Sequence, residues 1–271
     1  MSYEKGVSFI GGGNMASAII EAILNAGILP ADKISVFDPS DERKAFFAEI
    51  GITLAESGEE LAKKEDILFL AVKPQIMDFV LNSIKDNVKS ACIVSIAAGV
   101  STEHIKGIIT SDVPVIRALP NTPMLTLNGM TVIAEADSVS NELFLFVKSV
   151  FEASGEVSVL PEEKINEAIP LSSSSPAFFF RMIKAMAEVG CAYGIPYDEA
   201  LKLSAVAMKG SAAYALKSEK SMDELIAQVS SPGGTTVAAL SAFDDFGFED
   251  FINDAAKRCV DRAYELGKSS K

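Results

Sequence analysis

The sequence predicts an α/β fold: a doubly wound parallel sheet over residues 1–160, then an all-helical region over 161–271. Three observations carry that expectation. Short β-branched runs alternate with amphipathic stretches through the first half. Near-continuous apolar runs such as Ile67–Val72 (ILFLAV) suit strands covered on both faces, as in a parallel sheet between helices. Beyond Glu156–Leu160 the chain turns to long stretches rich in Ala, Leu, Met and Glu, with no further strand pattern.

Taken in order, Lys5–Ile10 reads as a strand, Asn14–Ala26 as a helix, Lys33–Phe37 as a strand and Arg43–Ile50 as a helix. Asp66–Val72, Ala91–Ile96, Val113–Ala118, Met130–Ala134 and Glu156–Leu160 complete the strands. Strands separated by helical patterns form βαβ units with right-handed crossovers. In the second half, Ala177–Tyr193, Tyr197–Lys217, Val237–Phe243 and Gly247–Gly267 read as helices. Gly194–Ile195–Pro196 separates the first two, since Gly ends a helix and Pro opens the next. The boundary falls within Pro161–Pro170. Phe178–Phe180 would be costly to leave in water, each buried Phe contributing roughly 1.5–3 kcal/mol, so a second subunit is expected to cover such faces.

Charge and cysteine usage exclude several functions. Asp+Glu 37 against Lys+Arg 24 gives a net charge of −13, which offers no sequence-independent grip on nucleic acid or an anionic membrane surface. The three cysteines (Cys92, Cys191, Cys259) lie far apart, and His104 is the one histidine, so neither a disulfide framework nor a metal site is expected. Cys191 and Cys259, in alanine-rich helical surroundings, read as small core hydrophobes. His104 follows Ser101–Thr102–Glu103 at a helix start, where a surface role fits better than catalysis. No run of about 18 uncharged apolar residues occurs. The apolar stretch after MSYEKG is too short for a signal peptide, and a cytoplasmic location is expected.

Gly11–Gly12–Gly13–Asn14–Met15–Ala16 follows the first strand directly and opens a helix, fitting G-x-G-x-x-A, the Rossmann dinucleotide fingerprint. Gly11 permits the tight turn, Gly13 lets backbone N–H groups approach a pyrophosphate, and Ala16 lets the helix pack close to the sheet. The anion then rests at the positive end of a helix dipole. Asp38 ends the second strand where an acidic side chain bonds a ribose 2′-hydroxyl, which favours NADH; Arg43 nearby offers a fork for the extra phosphate of NADPH. Asp38-Pro39-Ser40 equally fits a helix-capping turn. Three other strand ends turn at the same edge. Ala71–Val72–Lys73–Pro74 must turn there because Pro74 cannot continue a ladder. Ala97–Ala98–Gly99 leaves room for a flat ring, and Arg117–Pro123 (RALPNTP) makes the third. Lys73 fits a phosphate or ribose contact, and equally a solvated lysine.

Ser231–Pro232–Gly233–Gly234–Thr235–Thr236 is the most informative stretch of the second half. Pro followed by two glycines before a helix exposes consecutive backbone N–H groups, a nest for a small carboxylate. Thr236 adds a hydroxyl able to meet a neighbouring nitrogen.

With both cradles in hand, the chain resembles pyrroline-5-carboxylate reductase essentially end to end. The likeness lies in FIGGGNMA, ILFLAVKP, IAAGV, RALPNTP, Ser175–Ala177 and SPGGTT. The resemblance implies a Rossmann domain with a helical dimerisation domain, and reduction of Δ1-pyrroline-5-carboxylate to L-proline with NADPH or NADH. By motif, Ile10, Gly11, Gly12, Gly13, Asn14 and Met15 would hold the pyrophosphate. Ala71, Val72, Lys73 and Pro74 would take the ribose and nicotinamide side, and Ala97, Ala98 and Gly99 would line the nicotinamide face. Gly233, Gly234, Thr235 and Thr236 would hold the substrate, with Thr236 meeting the ring nitrogen, and Glu219 would reach substrate across the dimer. Three positions depart from the family pattern. Ser173–Pro176 stands for Gly-Ser-Gly-Pro, beside the expected pocket. Gly58 stands for an Asn that contacts the adenosine ribose, and Ser221–Met222 for His-Pro. Two other readings use the same fold: a related imine or β-hydroxyacid dehydrogenase, with Lys184 as acid/base, and a non-catalytic dinucleotide-binding regulator. SPGGTT weighs against the hydroxyacid enzyme, and Ser173 and Ser175 are the regulator's best support.

Overall fold

The computed structural model describes residues 6–64, 67–88, 92–109, 112–136 and 139–268. Among the described residues eight strands form one sheet: β1 Val7–Ile10, β2 Ile34–Phe37, β3 Thr53–Leu54, β4 Ile67–Leu70, β5 Cys92–Ser95, β6 Val115–Leu119, β7 Gly129–Ala134 and β8 Gly155–Leu160. The helices that interleave with them are α1 Asn14–Asn25, α2 Asp41–Glu49, α3 Gly58–Ala62, α4 Met77–Ile84, α5 Thr102–Ile108, α6 Asn141–Glu152 and α7 Ile165–Ala168. Five more follow: α8 Ser175–Ala192, α9 Tyr197–Lys217, α10 Met222–Gln228, α11 Thr235–Asp245 and α12 Phe248–Lys268. Lys5, Asp66 and Ala91, expected as strand starts, lie outside the described residues.

The strand order is β3-β2-β1-β4-β5-β6-β7-β8, the doubly wound arrangement in which crossovers leave β1 in both directions. Alternate side chains serve opposite faces. Phe9, Val36, Phe69 and Val94 enter one core cluster, while Ile10, Leu68, Leu70 and Ile93 enter the other. Covered faces on both sides explain the uninterrupted apolar runs. Phe9 and Phe69 stack with centroids 4.5 Å apart, anchoring the centre.

Two features of the sheet depart from the sequence expectation. β3 was not expected: its two residues are exposed, and a two-residue edge strand carries no readable period. The sheet is also not wholly parallel, since β6 and β7 run antiparallel. Only residues 120–128 join them, mostly a 3₁₀ turn over Thr122–Thr126 closed by Leu127 at φ 58. That is too short for the crossover a parallel pair needs.

The chain divides into two compact units. One comprises Met1–Pro176 with Arg258–Lys271, the other Ala177–Lys257. The sheet unit thus runs past the expected boundary at 160/161 and takes in the final turns of α12. The cause is a third cluster, in which Ile165, Ala168, Ile169 and Ala263 pack on Leu119, Val132 and Ala134. Within the helical unit, Gly190 on α8 lies where a Cβ would come 2.7 Å from the Ala200 Cβ, so small residues let α8 and α9 close. Gly194 at φ 85 and Pro196 separate these two helices as the sequence predicts. Cys191 is exposed in the single chain, contrary to the core role expected for it, because it lies on an α8 whose neighbours Met186 and Val189 are also exposed. Among the described residues no helix is long and apolar enough to cross a membrane.

Candidate active site

The glycine turn is built by close approach. Gly11, at φ +97, donates its N–H to the Phe37 carbonyl at 2.9 Å, and a Cβ there would fall 2.6 Å from the Ala71 carbonyl oxygen. A Cβ on Gly12 would fall 2.6 Å from the Phe47 ring. Gly13 differs: it is exposed, and a Cβ there would meet nothing within 4 Å. It precedes α1, which begins with no side-chain cap, so its first-turn N–H groups are left for an outside acceptor. Ala16 is buried against the core, as close packing of α1 on the sheet requires. The open space at Gly13 and the uncapped helix start fit the pyrophosphate of a dinucleotide.

Asp38 sits at this turn with both oxygens engaged. Oδ2 accepts the Gly12 N–H at 2.7 Å and Oδ1 accepts the Ser40 N–H at 2.9 Å. Ser40, not Asp38, caps α2. Arg43 reaches back over the turn: Nε donates to the Gly12 carbonyl and Nη2 to the Ser17 hydroxyl. Its guanidinium lies 4.6 Å from the centroid of the Phe46 ring and 5.1 Å from that of Phe47. A fixed cation therefore stands beside the anion cradle.

The carboxyl ends of β1, β2, β4 and β5, neighbours in register, bring Ile10–Met15, Asp38, Ala71–Pro74 and Ala97–Gly99 to one sheet edge. That is the edge where doubly wound sheets bind ligands. Val72 abuts Gly11, whereas Lys73 is exposed and precedes the 3₁₀ turn Pro74–Ile76. Ala97 is buried and Ala98 half-buried, while Gly99, at φ +81, faces the end of α12. Gly58 is buried at the start of α3, and a Cβ there would lie 3.3 Å from the Ile10 Cδ1, tight for the Asn common in the family.

In the helical unit, Gly233 at φ +70 has open space around it, and Gly234 precedes α11, which has no side-chain cap. The Gly234 N–H turns back onto the Ser231 carbonyl at 2.9 Å. The free amides are then those of the first α11 turn, at Thr235 and Thr236. Ser231, Gly233 and Thr235 are exposed and Thr236 half-buried. Glu219 is exposed in the turn between α9 and α10, just before the Ser221–Glu224 capping box.

Of the two serines that stand for family glycines, Ser175 is used locally. The Ser175 hydroxyl donates to the carbonyls of Leu171 and Ser172 at 3.0 and 3.3 Å. Lys184, the acid/base of the hydroxyacid reading, is exposed and pairs with Glu188 at 3.5 Å. His104 is largely covered and meets the Asp78 carboxylate at 2.6 Å, so it joins α5 to α4.

One polar cluster was not anticipated. Arg117 on β6 is 3% exposed and donates to the Asn166 Oδ1 at 2.6 Å, while its Nε has no partner. Burial lowers its pKa, opposed by Glu162, Tyr264 and Glu167. It borders a cleft of about 640 Å³ with His104, Asn166 and Tyr264. The sequence signal was a charge inside an apolar strand, VIRAL. Among the described residues no group of three His, Cys, Asp or Glu side chains is placed to hold a metal.

A doubly wound sheet with an uncapped glycine turn after β1, followed by a helical unit with its own glycine-rich helix start, defines a two-domain nicotinamide-dinucleotide oxidoreductase. Residues 6–99 match the family described as NADP oxidoreductase, coenzyme F420-dependent, and residues 162–266 match pyrroline-5-carboxylate reductase dimerisation. The chain is 38% identical to pyrroline-5-carboxylate reductase of Escherichia coli K12 over 98% of its length and all of that protein's. It is 36% identical to the Haemophilus influenzae enzyme, over 97% of this chain and 98% of that one. The solved Plasmodium falciparum pyrroline carboxylate reductase with NADP bound superposes with a TM-score of 0.90 at 26% identity, covering 97% of this chain and 98% of that one. The chain belongs to the pyrroline-5-carboxylate reductase family.

Proposed function

We propose that this protein reduces Δ1-pyrroline-5-carboxylate to L-proline, as a cytoplasmic homodimer. The observation that carries the reading is the pair of uncapped, glycine-opened helix starts, α1 in the sheet unit and α11 in the helical unit. A bound NADPH or NADH would supply a hydride to the imine carbon. The α1 amides hold the cofactor pyrophosphate, with Ala71–Pro74 and Ala97–Gly99 along its ribose and nicotinamide. The first-turn amides of α11 hold the substrate carboxylate, and the Thr236 hydroxyl meets the ring nitrogen. Glu219 completes the pocket from the partner. An imine protonates readily, and the iminium is already electrophilic, so the residues orient rather than activate. Oxidation of NADPH by pyrroline-5-carboxylate, followed by dihydronicotinamide absorbance, tests this directly. Cofactor binding without turnover on this imine would instead mark a regulator.

The reading favours NADPH. Asp38 has both oxygens taken by backbone N–H groups, and the Arg43 guanidinium, held over the turn by the Gly12 carbonyl and the Ser17 hydroxyl, places a positive charge beside the site for a 2′-phosphate. Arg43→Ala is expected to raise the KM for NADPH about tenfold, the loss of one charge-assisted contact, and that for NADH by less than about twofold. Equal changes for both cofactors would remove Arg43 from phosphate recognition.

The dimer reading is supported by apolar side chains exposed in the single chain, among them Phe180, Val206, Leu216 and Phe246, and by the match of residues 162–266 to pyrroline-5-carboxylate reductase dimerisation. Light scattering is expected to give about twice the chain mass of 28.8 kDa. Phe180→Asp should shift the population towards single chains.

A further inference from the structure

The loop after β5 and the last turn of α12 meet through two glycines 168 positions apart. A Cβ on Gly99 would lie 2.5 Å from the Ala263 carbonyl oxygen, and one on Gly267 would lie 2.4 Å from the Gly99 carbonyl oxygen. Real Cβ atoms essentially never come within 3.0 Å of a neighbour, so loop and helix backbones touch where neither position admits a side chain. The helix end is itself held. Ala263 is buried in the cluster that Ala98 flanks, and the Tyr264 hydroxyl donates to the Glu167 Oε1 at 2.8 Å. Neighbouring Asn166 is tied to the sheet through Arg117. All these residues belong to the sheet unit, although the chain reaches Arg258–Lys271 only after forming the other unit.

We propose that the end of α12 braces the nicotinamide loop, with Gly267 and Tyr264 as positioning residues for hydride transfer. The proposal rests on the reading that Ala97–Gly99 lines the nicotinamide. Hydride transfer needs donor and acceptor about 3–3.5 Å apart, and a 1 Å displacement costs on the order of 100-fold. A methyl at Gly267 must open the contact from 2.4 Å past 3.0 Å, and to 3.4 Å for an ordinary van der Waals contact, a displacement approaching that size. The loop carries it if the helix is the better-held partner.

The test is Gly267→Ala in the full chain, with Tyr264→Phe as a second variant that keeps the α12 packing and removes only the hydroxyl. For Gly267→Ala, kcat per NADPH-binding site is expected to fall at least tenfold, with NADPH Kd within about threefold. The deuterium isotope effect from NADPH labelled at the transferred C4 hydrogen should rise. Amide exchange over Ala97–Val100 should quicken in the cofactor-free protein. Tyr264→Phe should show the same changes at smaller amplitude. A merely structural defect lowers the melting temperature or the fraction of binding sites and leaves the isotope effect and per-site kcat unchanged. That result in both variants, or in Tyr264→Phe where Gly267→Ala does not fold, overturns the proposal. Ala98→Leu separates this failure from that of the underlying reading. An altered NADPH Kd or isotope effect in Ala98→Leu, with neither brace variant affected, refutes the brace alone. An unaltered Ala98→Leu refutes the loop's place at the nicotinamide, and the brace with it.

Discussion

Thr236→Ala is expected to lower kcat for pyrroline-5-carboxylate reduction on the order of 100-fold while NADPH Kd stays within about twofold, the range for removing one preorganised donor from a developing charge. The hydroxyl stands in the first turn of α11, beside amides that no side chain caps. In the proposed pose it meets the ring nitrogen, whose charge changes as the iminium becomes an amine. In that pose its contribution falls on the chemical step, and the cofactor, proposed to lie at the other unit's glycine turn, is expected to be unaffected. Alanine at the second position of a helix keeps the backbone in place, so loss of the hydroxyl is separable from loss of α11. Thr236→Ser, retaining the hydroxyl, should recover most of the rate. Near-normal turnover in the alanine variant, measured at saturating NADPH and imine, would remove Thr236 from the chemistry.

The glycine turn yields a second large effect and an internal control. Gly11→Ala is expected to weaken NADPH binding about 30-fold and to lower the melting temperature, since its φ of +97 and the 2.6 Å approach to Ala71 both resist a side chain. Backbone strain of this kind amounts to about 1–3 kcal/mol, and each 1.4 kcal/mol is tenfold in affinity. Gly13→Ala should behave differently. A Cβ at Gly13 meets nothing within 4 Å and its φ is −69, so the variant should melt like the parent. It should still bind NADPH weakly, because the new methyl would occupy the space proposed for the pyrophosphate. Calorimetric melting paired with a fluorescence titration of NADPH resolves the two. Equal melting temperatures for both variants would contradict the strained turn at Gly11.

Much of this was legible from residues alone, for identifiable reasons. The apolar run at Ile67–Leu70 reports burial on both faces of one strand, and its neighbours carry the same pattern. Gly194 and Pro196 separate α8 from α9 by constraints internal to each residue, so α9 begins at Tyr197 as expected. Cys191 went the other way: its alanine-rich surroundings read as core, yet it is exposed, because a sequence pattern marks a face as apolar without saying what covers it.

The sequence by itself determined the alternation of strand and helix, the two glycine-opened cradles and the family, since each depends on residues within a few positions of one another. Tertiary structure alone decided the capture of Asp38 by a Gly12 amide 26 residues away, the bond from Arg117 to Asn166 and the meeting of Gly99 with Gly267. Those contacts join segments whose separation along the chain carries no period. They are fixed by what the packed sheet brings within reach, and short-range propensity holds no record of that.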